Sequence, residues 1–331
     1  MTAGGAVSGP AAGLAATSEL ALDEEIRPFL ARFEAALPQV IHQMQPQAFR
    51  AALELSGAGI GPRPPGMAVE DRSATHAGRT VRLRIYRPDA PAPCRRRALL
   101  FFHGGGWMVG SVDSYDDIAA DIAASTPCTV ISVEYALAPE HRYPTALLDG
   151  EAAAEWLRAN LDGLGLDPGR IAIGGDSAGG NLAAALCLQY RDWGGAMPFC
   201  FQCLLYPALD VDVERPSYRR NADAPILGRE TMIWFLRHYL GEAWETPDVY
   251  AAPLRAGSLA GMPPAFVAGA GFDPLLDEGA EYAARLAAAG VPCEYRLAGD
   301  LVHGFLRMRN VSRRARAEFD AACAALHRAL S

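Results

Sequence analysis

The chain has 331 residues, half of them hydrophobic, enough for one large α/β domain with an insertion or for two domains. Its formal net charge of −8 argues against a nucleic-acid partner, which needs concentrated basic charge. Every one of the 30 basic residues is arginine, so no Schiff base and no phosphate-binding loop ending in Gly-Lys-Ser/Thr can form, which excludes pyridoxal enzymes and lysine-dependent aldolases.

The 7 cysteines are scattered and odd in number, against a disulfide framework. Cys200 and Cys203 have C-x-x-C spacing within the apolar run from Phe199 to Tyr206. An odd offset puts them on opposite faces of a strand, and no second pair or histidine cluster completes a zinc site, so both read as core residues. No metal and no cofactor is expected. No apolar run reaches the ~18 residues of a membrane span. The Ala/Gly/Ser/Thr-rich start lacks a basic n-region and reads as a mobile beginning rather than a signal peptide, so a cytoplasmic location is the expectation.

In chain order, Leu22, Ile26, Phe29, Leu30, Phe33 and Leu37 mark an amphipathic helix with Asp23 as its N-cap. A second helix is expected from Pro46 to Leu55, followed by a Gly/Pro-rich linker to Gly66. Val81, Leu83 and Ile85 then alternate with Arg82, Arg84 and Tyr86, a strand pattern, and Ala98 to Phe102 is a buried strand. No helix separates these first strands, so the sheet is expected to start with antiparallel hairpins, against a (β/α)8 barrel.

From there the pattern alternates. Helices are expected at 114–125, 144–161, 178–191, 277–289 and 312–330, and strands at 128–134, 170–174, 199–206, 265–268 and 293–297. Such alternation means a mostly parallel sheet covered by helices on both faces. The long interval from Tyr206 to Pro264 breaks the rhythm and holds an apolar helix with Trp234, Phe235 and Tyr239. The expected organisation is a catalytic core at 67–207 and 264–331, a cap insertion at 208–263, and N-terminal helices in 1–55 that contribute to the cap.

Chemistry concentrates at four places. Gly175-Asp176-Ser177-Ala178-Gly179 reads as a strand, a tight turn and a helix, with the Ser177 hydroxyl at the tip: a nucleophile elbow. His103-Gly104-Gly105-Gly106-Trp107 follows a buried strand, where glycine N–H groups can point into a cleft and hold a developing oxyanion. The N–H groups of Gly104, Gly105 and Ala178 are the expected hole, with His103 shaping the loop. Asp273 ends a strand and can fix a histidine tautomer; the competing Asp277 looks better placed to cap the following helix. His303 follows the last strand beside Gly304. The order Ser177, Asp273, His303 is that of the α/β-hydrolases.

These residues resemble the bacterial hormone-sensitive lipase family of carboxylesterases. The resemblance rests on His103 to Trp107, on Tyr135-Ala136-Leu137-Ala138-Pro139-Glu140, on Gly175 to Asn181, on Asp273-Pro274-Leu275 with Asp277-Glu278-Gly279, and on His303-Gly304-Phe305. It implies an α/β-hydrolase fold with an eight-stranded, mostly parallel sheet, a helical cap, a small-molecule ester substrate of short to medium acyl chain, and, as in many members, a homodimer. Ala136 stands where the family usually has arginine, which bears on the packing of that loop. Asp176 is expected to support the elbow through hydrogen bonds. Two alternatives share this fold: an amidase or deacetylase with the same triad, and a non-catalytic binder, against which His303 counts.

Overall fold

The computed structural model describes residues 21–56, 61–89, 95–242, 244–245 and 247–331, so the Ala/Gly-rich start, part of the linker and Cys94 lie outside the described residues. Asp23 accepts a hydrogen bond from the Glu25 N–H at 3.1 Å, capping a 3-10 turn at Glu24–Ile26 that runs into α1 (Arg27–Ala36). Pro28 fits in the first turn of α1, where its missing N–H has no intrahelical partner to lose. α2 spans Pro46–Ser56.

The sheet and its crossovers follow: β1 (Met67–His76), β2 (Arg79–Pro88), β3 (Arg96–Phe102), α3 (Asp116–Ser125), β4 (Thr129–Glu134), α4 (Thr145–Leu164), β5 (Leu166–Asp176), α5 (Ala178–Asp192) and β6 (Phe201–Leu205). The interval before the next strand holds α6 (Pro216–Arg220) and α7 (Arg229–Leu240). β7 (Ala265–Phe272), α8 (Leu276–Ala288), β8 (Cys293–Val302) and α9 (Arg313–Leu330) complete the chain.

The strands form one eight-stranded sheet in the order β1-β2-β4-β3-β5-β6-β7-β8, the α/β-hydrolase fold. β1 and β2 pair antiparallel, β2 and β4 pair antiparallel, and every other pair is parallel. The hairpin expected between the second and third strands is therefore absent. β3 lies between β4 and β5, parallel to both, because Ala98 to Phe102 is buried along its whole length and needs cover on both faces. α3 supplies the crossover that returns the chain to β4 beside it.

Period-2 alternation divides the core in two. Leu100, Phe102, Ile131, Ile173 and Val267 face one layer with residues of α4, α5, α8, α2 and α7. Leu99, Phe101, Val130, Ala172 and Phe266 face the other with residues of α1, α3 and α9. Each large side chain so buried contributes about 1.5–3 kcal/mol over its exposed state, which is what fixes the strand register. Cys200 precedes β6 instead of lying in it, and it packs on the same layer as Cys203, so the opposite-face reading of that pair fails. Among the described residues no helix is long and apolar enough to cross a membrane.

Candidate active site

The carboxyl ends of β3, β5, β7 and β8 carry the site. At the end of β5 the backbone of Ser177 is at φ 54°, ψ −118°, a region that costs on the order of 1–3 kcal/mol for a residue with a side chain. The surroundings impose it. The Ser177 N–H donates to Leu205 O at 2.9 Å, and Ser177 O accepts from Asn181 N at 3.0 Å as α5 begins. A Cβ on Gly175 would lie 2.4 Å from Phe102 O, and one on Gly179 would lie 2.0 Å from the same atom, so the turn closes against β3 only with glycine at both places.

The structure brings the three distant residues together. His303 Nε2 is 2.9 Å from Ser177 Oγ, and His303 Nδ1 is 2.7 Å from Asp273 Oδ2. An ionised carboxylate can only accept, so Nδ1 carries the proton and Nε2 is left to accept from the serine hydroxyl. Asp273 is fully buried, its Oδ1 accepts from the Leu275 N–H at 2.8 Å, and its carbonyl accepts from Asn221 Nδ2 at 2.9 Å. Gly304, at φ 75°, turns the chain directly behind the histidine.

Asp277 does not cap α8, whose N-cap is Leu275 with no side-chain cap. Its Oδ2 accepts from the Ser217 N–H at 2.7 Å, so it holds the start of α6. The reason is that α8 begins earlier than its sequence suggests, at Leu276, which places Asp277 inside the first turn.

The glycine loop departs from expectation at one position. The Gly104 N–H donates to Asp176 Oδ1 at 2.8 Å and so is already engaged. Gly105 and Gly106 follow at φ 125° and 58°, and a Cβ on Gly105 would lie 2.1 Å from Val109 O. Among the described residues, no partner accepts from the N–H of Gly105, Gly106 or Ala178. His103 does shape the loop. Its Nδ1 lies 2.8 Å from Gly104 O, its ring stacks on Tyr135 at 4.3 Å, and the Tyr135 hydroxyl donates to His103 O at 2.8 Å. Burial pushes the His103 imidazole down to about 4, so it is neutral near pH 7.

Further side chains support the site. The ring of Tyr206, just beyond β6, meets His303 edge to face at 4.9 Å. Phe235 of α7 sits where a Cβ on Gly106 would be, and Trp107 stacks flat on Tyr239 of α7 at 4.4 Å. Arg50 of α2 donates to Met108 O at 2.7 Å and Ala138 O at 2.6 Å and pairs with Glu140 at 2.7 Å. The buried carboxylate of Glu278 accepts from Leu209 N at 2.6 Å, Asp210 N at 2.9 Å and the Tyr218 hydroxyl at 2.9 Å. Burial nevertheless pushes its carboxyl up to about 8.

Ser177 and His303 open into a cavity of about 510 Å³. Phe29 and Phe33 of α1, Phe49 and Leu53 of α2, and Met232 and Phe235 of α7 give it apolar walls. A strained serine, a histidine held by a carboxylate and free N–H groups beside an apolar cavity can together perform acyl transfer.

A family model described as the alpha/beta hydrolase fold matches residues 99–307. The chain is 43% identical to the esterase LipI of Mycobacterium tuberculosis over 244 residues, 73% of this chain and 76% of that one. It is 40% identical to the carboxylesterase NlhH of the same species over 270 residues, 80% of this chain and 84% of the relative. The crystal structure of a thermostable esterase from Pseudomonas putida superposes with a TM-score of 0.87 at 32% identity, covering 94% of this chain and 98% of that one. With the site's geometry, these likenesses place the chain in the α/β-hydrolase fold family and, within it, in the bacterial hormone-sensitive lipase family of carboxylesterases.

Proposed function

We propose that this carboxylic ester hydrolase is a serine esterase that cleaves short- to medium-chain esters through an acyl-enzyme intermediate. The observation that carries the reading is the line from Asp273 through His303 to Ser177, at 2.7 and 2.9 Å, opening on the cavity. His303 takes the Ser177 proton as the oxygen attacks the ester carbonyl. The N–H groups of Gly105 and Ala178 receive the oxyanion, with Gly106 in the place expected of Gly104. His303 then protonates the departing alcohol, activates a water against the acyl-enzyme, and returns the proton to Ser177 as the acid leaves. Asp273 holds the imidazole in the productive tautomer and stabilises its charged form.

The apolar walls from α1, α2 and the 208–263 segment act as a cap that chooses the acyl chain. Uncharged chains suit the rings and methyl groups of these walls, since a charge laid against them would lose its hydration. With p-nitrophenyl butyrate, Ser177→Ala is expected to lower kcat by about 10⁴–10⁶-fold. Retention of most activity in that variant would remove the serine mechanism.

A further inference from the structure

The glycine loop needs something to aim it. Gly105 and Gly106 occupy positive-φ conformations that leave the backbone free to turn, and yet the proposed hole requires their N–H groups to meet at one point. What precedes them is pinned at three places. The Tyr135 hydroxyl holds His103 O, His103 Nδ1 holds Gly104 O, and Asp176 Oδ1 holds the Gly104 N–H at 2.8 Å. The last of these is the only one that ties the loop to the strand bearing Ser177. The fit is close, since a Cβ on Gly104 would lie 2.5 Å from Asp176 Oδ2.

The second carboxylate oxygen is committed elsewhere. Asp176 Oδ2 accepts from the Tyr115 hydroxyl at 3.1 Å and the Tyr206 hydroxyl at 3.3 Å. Tyr206 is the ring that packs against His303 at 4.9 Å. One buried carboxylate thus gathers donors from the loop after β3, from the turn ahead of α3 and from the turn after β6. All three are donors, which suits an acceptor-only carboxylate. The other titratable groups that face it are Arg307, whose guanidinium lies 4.3 Å over the Tyr115 ring, and His303.

We propose that Asp176 is a positioning residue: it aims the oxyanion loop with one oxygen and steadies, through Tyr206, the ring that packs on His303 with the other. The inference rests on the serine-esterase reading. Asn at this position keeps an acceptor for Gly104, and the tyrosine hydroxyls can turn to accept from its amide, whereas Ala removes every bond. The two variants therefore separate placement from charge.

With p-nitrophenyl butyrate, Asp176→Ala is expected to lower kcat by about 10²–10³-fold with KM within about threefold, and Asp176→Asn to stay within about tenfold of the parent. Affinity for butylboronic acid, which forms an oxyanion-like adduct on the serine, should weaken in step with kcat, while affinity for the product butyrate holds. A role in stability alone would not divide those two ligands. A kcat within about threefold in Asp176→Ala, equal loss in the Asn variant, or equal weakening of boronate and butyrate would each overturn the proposal. If Asp176→Ala does not fold, Tyr115→Phe and Tyr206→Phe are each expected to lose about 3–10-fold in kcat with the same bias toward boronate; no loss in either overturns it. Activity surviving in Ser177→Ala would instead remove the underlying esterase reading.

Discussion

The carboxyl edge of the sheet and the apolar walls above it are built by different rules. At the edge, Ser177 and Asp273 leave strands buried over most of their length and His303 leaves the partly exposed β8, and each is held by a specific hydrogen bond: the Ser177 N–H to Leu205 O, the Leu275 N–H to Asp273 Oδ1, His303 Nδ1 to Asp273 Oδ2. In the walls, α1, α2 and α7 meet through rings and methyl groups, such as Phe49 against Trp234 and Phe235 at 6.0 and 6.2 Å. Directional bonds tolerate no displacement, whereas apolar packing tolerates changes of shape when volume is kept. A substitution at the edge should therefore cost rate, and one in the walls should change which substrate is preferred.

The contrast can be broken most sharply at the two aspartates that compete for one role. Asp273→Asn should lower kcat by about 10⁴-fold, because an amide in place of the carboxylate favours the wrong imidazole tautomer. Asp277→Asn, remote from the histidine bond, should leave kcat within about threefold. Steady-state kinetics of the pair check this, and a comparable loss in both would dissolve the distinction drawn from the bonds to Ser217 and His303.

A smaller effect is expected in the walls. Phe235→Ala should raise the ratio of kcat/KM for p-nitrophenyl octanoate over acetate by about tenfold, the order expected for added apolar room. It should also cost about 3–5 kcal/mol in stability, as large-to-small core changes do. An unchanged chain-length profile would mean that the ring packs the loop at Gly106 without bounding the acyl chain.

The smallest effect is on the pH dependence of folding. The Glu278 carboxyl is raised in the folded state to about 8, so the folded chain holds a proton that the unfolded chain has released. Stability from this group is present below the unfolded value near 4.5 and is lost as pH rises toward about 8. Glu278→Gln should flatten the fall in Tm across that range, by a few degrees in a chain of this size. An unaltered slope would count against Glu278 as its source.

Much of the edge was legible because its groups follow apolar strands at glycine-rich turns: Ser177, Asp273 and His303 each stand where a strand pattern ends. What could not be read was partnership across the sequence. Gly104 looks like a donor to substrate until Asp176, 72 residues on, is found accepting its N–H. β3 looks like half of a hairpin until β4 is seen inserted beside it, since adjacency in a parallel sheet depends on crossovers that leave no local mark. Asp277 was misplaced by a shift of the helix start, where boundaries are least defined by propensity. Tyr206 belongs to no motif, and although Glu278 stands in a family motif and Phe235 in an apolar helix, only burial and distance show what each of them touches.

The strand order has a further consequence for how activity is lost. Among the described residues, Ser177 leaves β5, which is flanked on both sides, while His303 leaves β8, an edge strand paired with β7 alone. Edge elements open at lower free energy than enclosed ones, in sub-global steps short of full unfolding. A brief opening of β8 would carry His303, the proposed proton acceptor, away while Ser177 and the rest of the sheet stay in place. Inactivation by heat or denaturant would then run ahead of the loss of secondary structure, and recover on return, because the part that departs re-docks against an intact sheet.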